Sequence, residues 1–129
     1  MPGSVWIIDS EHWPRAYLRA ELIERGHDAV GFAALAEALV RLALRGRRPE
    51  LVVVDLDGEG IDPRALDILF RAGLRVVGIG GAAAWETEAR RVPSHPWAGL
   101  LRRPLTIGDV ADAVERQLAA RAPGPSLAT

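Results

Sequence analysis

Short apolar runs alternate with stretches of helical spacing along this chain. Val5-Trp6-Ile7-Ile8 is a continuous apolar run that stops at Asp9. From about Pro14 to Arg25 the spacing predicts a helix: Leu18 and Leu22 share a face, Pro14 suits the first turn and Gly26 suits the exit. Ala29 to Phe32 reads as a weak strand at a sheet edge, and Leu35, Leu39 and Leu42 then repeat at helical spacing until Gly46. Leu51-Val52-Val53-Val54 is the strongest strand, apolar on both faces, as in the middle of a covered parallel sheet. Asp62 and Pro63 open a third helix, as N-cap and first helical residue, and Gly73 closes it. Arg75 to Ile79 is a fourth strand, followed by Gly80-Gly81 and a short helix from Ala82 to Arg91. Ala98 to Leu101 is a fifth strand, ending at Arg102-Arg103-Pro104. Thr106 and Asp109 form a capping box for a last helix with Val110, Val114 and Leu118 inside.

Five strands alternating with five helices predict one α/β domain over residues 1–121, built on a doubly wound five-stranded parallel sheet. Residues 122–129, with Pro, Gly and Ser, are expected to be a disordered tail or a linker remnant. The common strand order for such a sheet is 2-1-3-4-5, and ligands collect beyond the carboxyl ends of strands 1 and 3, where the order reverses. Strand 1 ends at Asp9 and strand 3 at Asp55, so two distant carboxylates are expected in one crevice. Its rim would carry Gly80-Gly81 and Arg103. Close carboxylates need a compensating charge, a divalent cation or an arginine, and magnesium suits one or two carboxylates with waters and a phosphate. The plainer alternative is that each aspartate caps a helix or faces solvent.

Composition narrows the chemistry. The chain of 129 residues has no cysteine, which excludes disulfides, thiolate metal sites and thiol catalysis. All sixteen basic residues are arginine, so Schiff-base chemistry and a Walker lysine are excluded. Seventeen acids leave a net charge of −1, which gives no general attraction to nucleic acid or anionic membrane. No apolar stretch approaches a membrane span and the start lacks a signal-peptide pattern, so a cytoplasmic protein is expected.

Three segments resemble the response-regulator receiver family: Ile7-Ile8-Asp9-Ser10-Glu11 after strand 1, Pro49 to Leu56 around strand 3, and Leu100-Leu101-Arg102-Arg103-Pro104-Leu105 after strand 5. The resemblance runs from about Val5 to Leu118 and implies the flavodoxin-like (βα)5 fold of two-component signalling. It further implies a phosphoryl-accepting aspartate at Asp55, and magnesium held by acids after strand 1, by Asp55 and by the backbone carbonyl of Asp57. A hydroxyl residue after strand 4, a lysine after strand 5 and an aromatic on strand 5 would complete the switch.

This chain departs from that pattern at Ser10, Gly80, Leu100 and Arg103, which stand where the family has a second acid, the hydroxyl, the aromatic and the lysine. A serine is a poor ligand for a hard dication, so magnesium is expected to bind weakly, with Glu11 as a substitute ligand if its loop allows. Arginine still binds phosphate but is forked and bulkier than lysine, and can instead pair permanently with Asp55. The resemblance therefore implies a degenerate receiver, or pseudo-receiver: a non-enzymatic module that docks on another signalling protein or on itself. The face for that role is the fourth predicted helix, strand 5 and the last helix, with Trp85, Trp97, Leu100 and Arg102 as anchors and Arg90 and Arg91 close in the chain. The two tryptophans packing inward is the alternative; Trp6 is expected in the core, and Trp13 borders the site.

A second reading is a magnesium-dependent phosphoacceptor, phosphorylated on Asp55 by a histidine kinase or a small donor. A remoter one is nucleotide or small-molecule binding at Gly80-Gly81, although the full dinucleotide pattern is absent. Asp9, Glu11 and His12 are close in the chain, but a solvent-facing His12 is expected over a metal ligand. Neither His27 nor His95 joins a catalytic set.

Overall fold

The computed structural model describes residues 3–44, 46–58, 61–83 and 95–121. Its strands are β1 (Ser4–Ile8), β2 (Asp28–Phe32), β3 (Leu51–Asp55), β4 (Val76–Gly80) and β5 (Gly99–Arg102). They form one parallel sheet in the order β2-β1-β3-β4-β5, as expected from the alternation of runs. The described helices are α1 (His12–Glu24), α2 (Leu35–Ala43), α3 (Pro63–Arg71) and α4 (Ile107–Arg121). Nearly all of the helix predicted over 82–91 lies outside the described residues, as do Trp85, Arg90, Arg91 and the tail 122–129.

The strand period of two divides the core in half. Val5, Ile7, Leu51, Val53, Val77 and Ile79 face α1 and α4, meeting Leu18, Leu22, Val110, Ala111 and Val114. Trp6, Ile8, Val52, Val54 and Val76 face α2 and α3, meeting Leu35, Ala38, Leu66 and Leu69. All five β3 residues are buried, which is why that strand reads as an unbroken apolar run.

Helix ends follow local chemistry. Asp62 Oδ1 accepts from the Arg64 N–H at 2.9 Å, with Pro63 as the first helical residue. At α4 the capping box is reciprocal: Thr106 Oγ1 accepts from Asp109 N–H, and Asp109 Oδ2 accepts from Thr106 N–H. Gly26 and Gly73, with φ of 92° and 81°, end α1 and α3. At each, paired bonds (Gly26 N–H to Ile23 O and His27 N–H to Leu22 O; Gly73 N–H to Phe70 O and Leu74 N–H to Leu69 O) close the last turn. Helix α1 begins two residues earlier than predicted, at His12, because Pro14 fits anywhere in a first turn, where its missing N–H has no helical partner. Just past the end of α1, Arg25 binds Glu21, Asp112 and Glu115 at 2.7–2.8 Å, which ties α1 to α4.

The β2 edge of the sheet is covered from α1. Asp28 N–H and Phe32 O bond toward β1 and its ends, so the Ala29 and Gly31 backbone groups point outward. Arg19 Nε donates to Ala29 O at 2.9 Å, and the Arg15 stem lies where a Cβ on Gly31 would approach it to 3.0 Å. Capping an edge carbonyl from a charged side chain is a known way to discourage strand-to-strand association. Arg19→Ala is expected to leave the circular dichroism spectrum unchanged and to raise the self-associated fraction in sedimentation at equal concentration.

Candidate functional site

Register brings the site together. Ile8 pairs with Val54 and Asp55 with Ile79, so Asp9 and Asp55 lie side by side at the carboxyl end of the sheet. Both are only 7 % exposed. Each carboxylate accepts a backbone N–H two residues on, Glu11 to Asp9 Oδ1 and Asp57 to Asp55 Oδ1, both at 2.9 Å. Asx turns of this kind fix the carboxylates before any charge pairing begins.

Arg103 is delivered from the other side. Its N–H donates to Gly80 O at 2.9 Å, continuing the β4–β5 pairing, and the peptide to Pro104 is cis. Its guanidinium grips Asp55 with two bonds, Nη1 to Oδ1 and Nη2 to Oδ2, both 3.1 Å, while Nη1 also donates to Asp57 Oδ2 at 2.7 Å. The planar fork matches the carboxylate edge, which an ammonium would not. Burial alone would lower the Arg103 pKa, but the hydrogen bonds and charges of Asp55 and Asp57 leave it above its ordinary value. Removing the guanidinium would strand Asp55 between two other carboxylates. The loss would fall below the roughly 3–5 kcal/mol of a fully buried pair, because solvent reaches Arg103.

Asp57 enters by its side chain, whereas the sequence pointed only to its carbonyl. Its carboxylate accepts from Gly81 N–H (3.1 and 2.9 Å) as well as from Arg103. The Gly81 amide proposed for a phosphate is thus already engaged. An acid two residues beyond Asp55, facing a bare glycine amide, was the available signal for this role.

The other predicted residues are spread around this centre. Ser10 is exposed, and its hydroxyl lies 2.9 Å from where a Cβ on Gly58 would sit. Glu11 is exposed and serves through its backbone N–H. Gly80 is buried at the end of β4, Leu100 is half-buried against Gly78, and Arg102 is exposed. Trp97 is half-buried with its ring edge-on to Phe70 at 5.0 Å, so this tryptophan packs inward, the alternative weighed for it. Trp6 is in the core, and Trp13 is exposed on α1. His12 is exposed, His95 stacks on Phe70, and His27 lies at the opposite end of the sheet, accepting from Gly3 N–H. Among the described residues no group of three or more His, Asp or Glu is placed to hold a metal ion.

Burial pushes Asp9 up from 3.8 to about 6, offset in part by the Glu11 N–H and reinforced by the charge of and hydrogen bond to Asp55; Arg103 pulls it back only weakly.

No family model matches the sequence, and no curated protein matches it. Solved structures do. The chain is similar to a response regulator receiver domain protein of Clostridium thermocellum, with TM-score 0.77, 15% identity, and coverage of 92% of this chain and 96% of that one. It is also similar to a response regulator receiver protein of Pseudomonas putida, with TM-score 0.75, 22% identity, and 90% and 98% covered. A chain of adenylate cyclase from Rhodopirellula baltica matches with TM-score 0.79, 13% identity, and 92% and 89% covered. The chain has the receiver-domain fold.

The raised Asp9 pKa makes stability pH-dependent. Between about pH 4 and 6 the folded chain holds a proton that the unfolded chain has lost, so stability falls as pH rises through that window. Asp9→Asn removes the penalty. We expect a gain on the order of 1–3 kcal/mol at about pH 7.5, shrinking toward pH 4, in urea denaturation of both proteins.

Proposed function

We propose that the chain is a receiver-type signalling domain of the degenerate kind, whose acceptor aspartate is held by Arg103. The observation that carries this reading is the two-bond grip on Asp55, with the same guanidinium bonded to Asp57. A phosphoryl group on Asp55 would have to displace that fork. Movement after phosphorylation would then lack both the hydroxyl absent at Gly80 and the aromatic ring absent at Leu100.

The donor set does not fit magnesium well. A hard dication prefers free carboxylate oxygens. Asp55 is neutralised by Arg103, burial makes Asp9 hold a proton more tightly than a free carboxyl, Ser10 brings no carboxylate, and the Asp57 side chain is occupied. Function as a non-enzymatic docking module, on another signalling protein or a second copy, is the reading we favour. Its contact face would centre on β5 and α4, with Leu100 and Arg102; Trp97, packed inward, is not part of it. Action in the cytoplasm is part of the same proposal; separately, no described helix is long and apolar enough to cross a membrane.

The competing reading is a working phosphoacceptor, favoured by the two adjacent buried carboxylates. Incubation with magnesium and acetyl phosphate followed by intact mass spectrometry separates the two. We expect no adduct; an 80-Da gain (roughly one phosphoryl group) that is lost in Asp55→Asn would establish the phosphoacceptor instead. In the same buffer, Ser10→Asp combined with Arg103→Lys is expected to raise magnesium affinity by about tenfold or more, read by fluorescence titration.

A further inference from the structure

A recess of about 310 Å³ opens between α1 and the start of α4, beside the acidic centre. Trp13, Tyr17, Leu105 and Ile107 line its walls, and Asp9 and Arg103 form its inner end. A mostly apolar cavity of this size with a few polar groups at one end has the make-up of a small-ligand site.

Two independent features define what would fill it. The first is an aromatic shelf: Trp13 and Tyr17, one turn apart on α1, are 64% and 56% exposed and stack with centroids 5.8 Å apart at 27°. Two large rings left bare together are unusual for a surface helix. The second is charge. Asp9 is more than nine-tenths buried and lines the recess, yet among the described residues its carboxylate belongs to no ion pair. Arg103 has both amino groups engaged by Asp55 and Asp57, so of the two charged groups that line the recess Asp9 is the one without an ion-pair partner among the described residues. The partial positive charge at the start of α4 is met by Asp109, which accepts from Thr106 N–H.

We propose that this recess binds a small organic cation with a flat aromatic body, its ammonium group on Asp9 and its ring against Trp13 and Tyr17. An anion would meet the Asp9 carboxylate, and a neutral ring would leave Asp9 without a counter-charge. Aromatic faces attract cations as well as apolar surface, so shelf and acid act on the same ligand. The proposal does not depend on whether Asp55 accepts a phosphoryl group.

The test uses three indole probes of nearly equal size, titrated into the full chain labelled with nitrogen-15: tryptamine (cation), indole-3-ethanol (neutral) and indole-3-acetate (anion). Tryptamine is expected to bind about tenfold more tightly than indole-3-ethanol, and indole-3-acetate to bind most weakly. Amide shifts should centre on Asp9, Trp13, Tyr17 and Ile107. Asp9→Asn should bring tryptamine and indole-3-ethanol to within about twofold, while Trp13→Ala, at an exposed position, should weaken both. Equal or tighter binding of indole-3-acetate, unchanged tryptamine affinity in Asp9→Asn or in Trp13→Ala, or shifts centred elsewhere would each overturn the proposal.

Discussion

The guanidinium of Arg103 is the counter-ion around which the carboxyl end of the sheet is arranged. Packing the apolar runs of β1 and β3 side by side leaves no choice about where those strands stop, and each stops at an aspartate. Burying Val54 and Ile8 therefore carries two carboxylates to within hydrogen-bonding reach of each other. Asp57 adds a third negative charge on the next turn. The hydrophobic effect builds this concentration of charge, and electrostatics must then accommodate it. One arginine, held at its backbone by Gly80, does most of that work, and Asp9 bears the remainder as a pKa raised to about 6.

Most of the fold was legible because its signals are local and agree with one another. The apolar run at 51–54 can only be a covered strand, and Asp62-Pro63, Thr106 with Asp109, and the paired closing bonds at Gly26 and Gly73 mark helix ends by chemistry within four residues. Ends were less sharp where a residue tolerates several positions, as Pro14 does within a first turn. The convergence of Asp9 on Asp55 was also legible, since it follows from strand order alone. The carboxylate role of Asp57 was not, because it depends on which way a short loop turns its side chain. Nor was the stacking of Trp13 on Tyr17 foreseen, although their spacing of four residues was the available sign.

Arg103 illustrates the limit of composition as an argument. In a chain without lysine, an arginine at that position carries little information by itself. Its weight comes from geometry: two bonds to one carboxylate and a third to the next make it a clamp, which a lysine could not reproduce. In the proposed degenerate reading the residues at Ser10, Gly80 and Leu100 are consistent with it, since an aspartate clamped in this way would have little use for a metal ligand, a phosphate-gripping hydroxyl or a movable ring.

Arg25, at the opposite end of the sheet, gives the molecule a second electrostatic character. Its three acidic partners, Glu21, Asp112 and Glu115, are more than a third exposed or close to it, so dissolved ions reach and screen the cluster. Asp9 is shielded from that screening and answers to proton concentration instead. The two ends are thus tuned to different solution variables: added salt loosens the junction of α1 with α4 from below, while acidity relaxes the crevice above. A domain divided in this way can have its helix packing and its crevice perturbed separately, although both perturbations act on the same helix, α1.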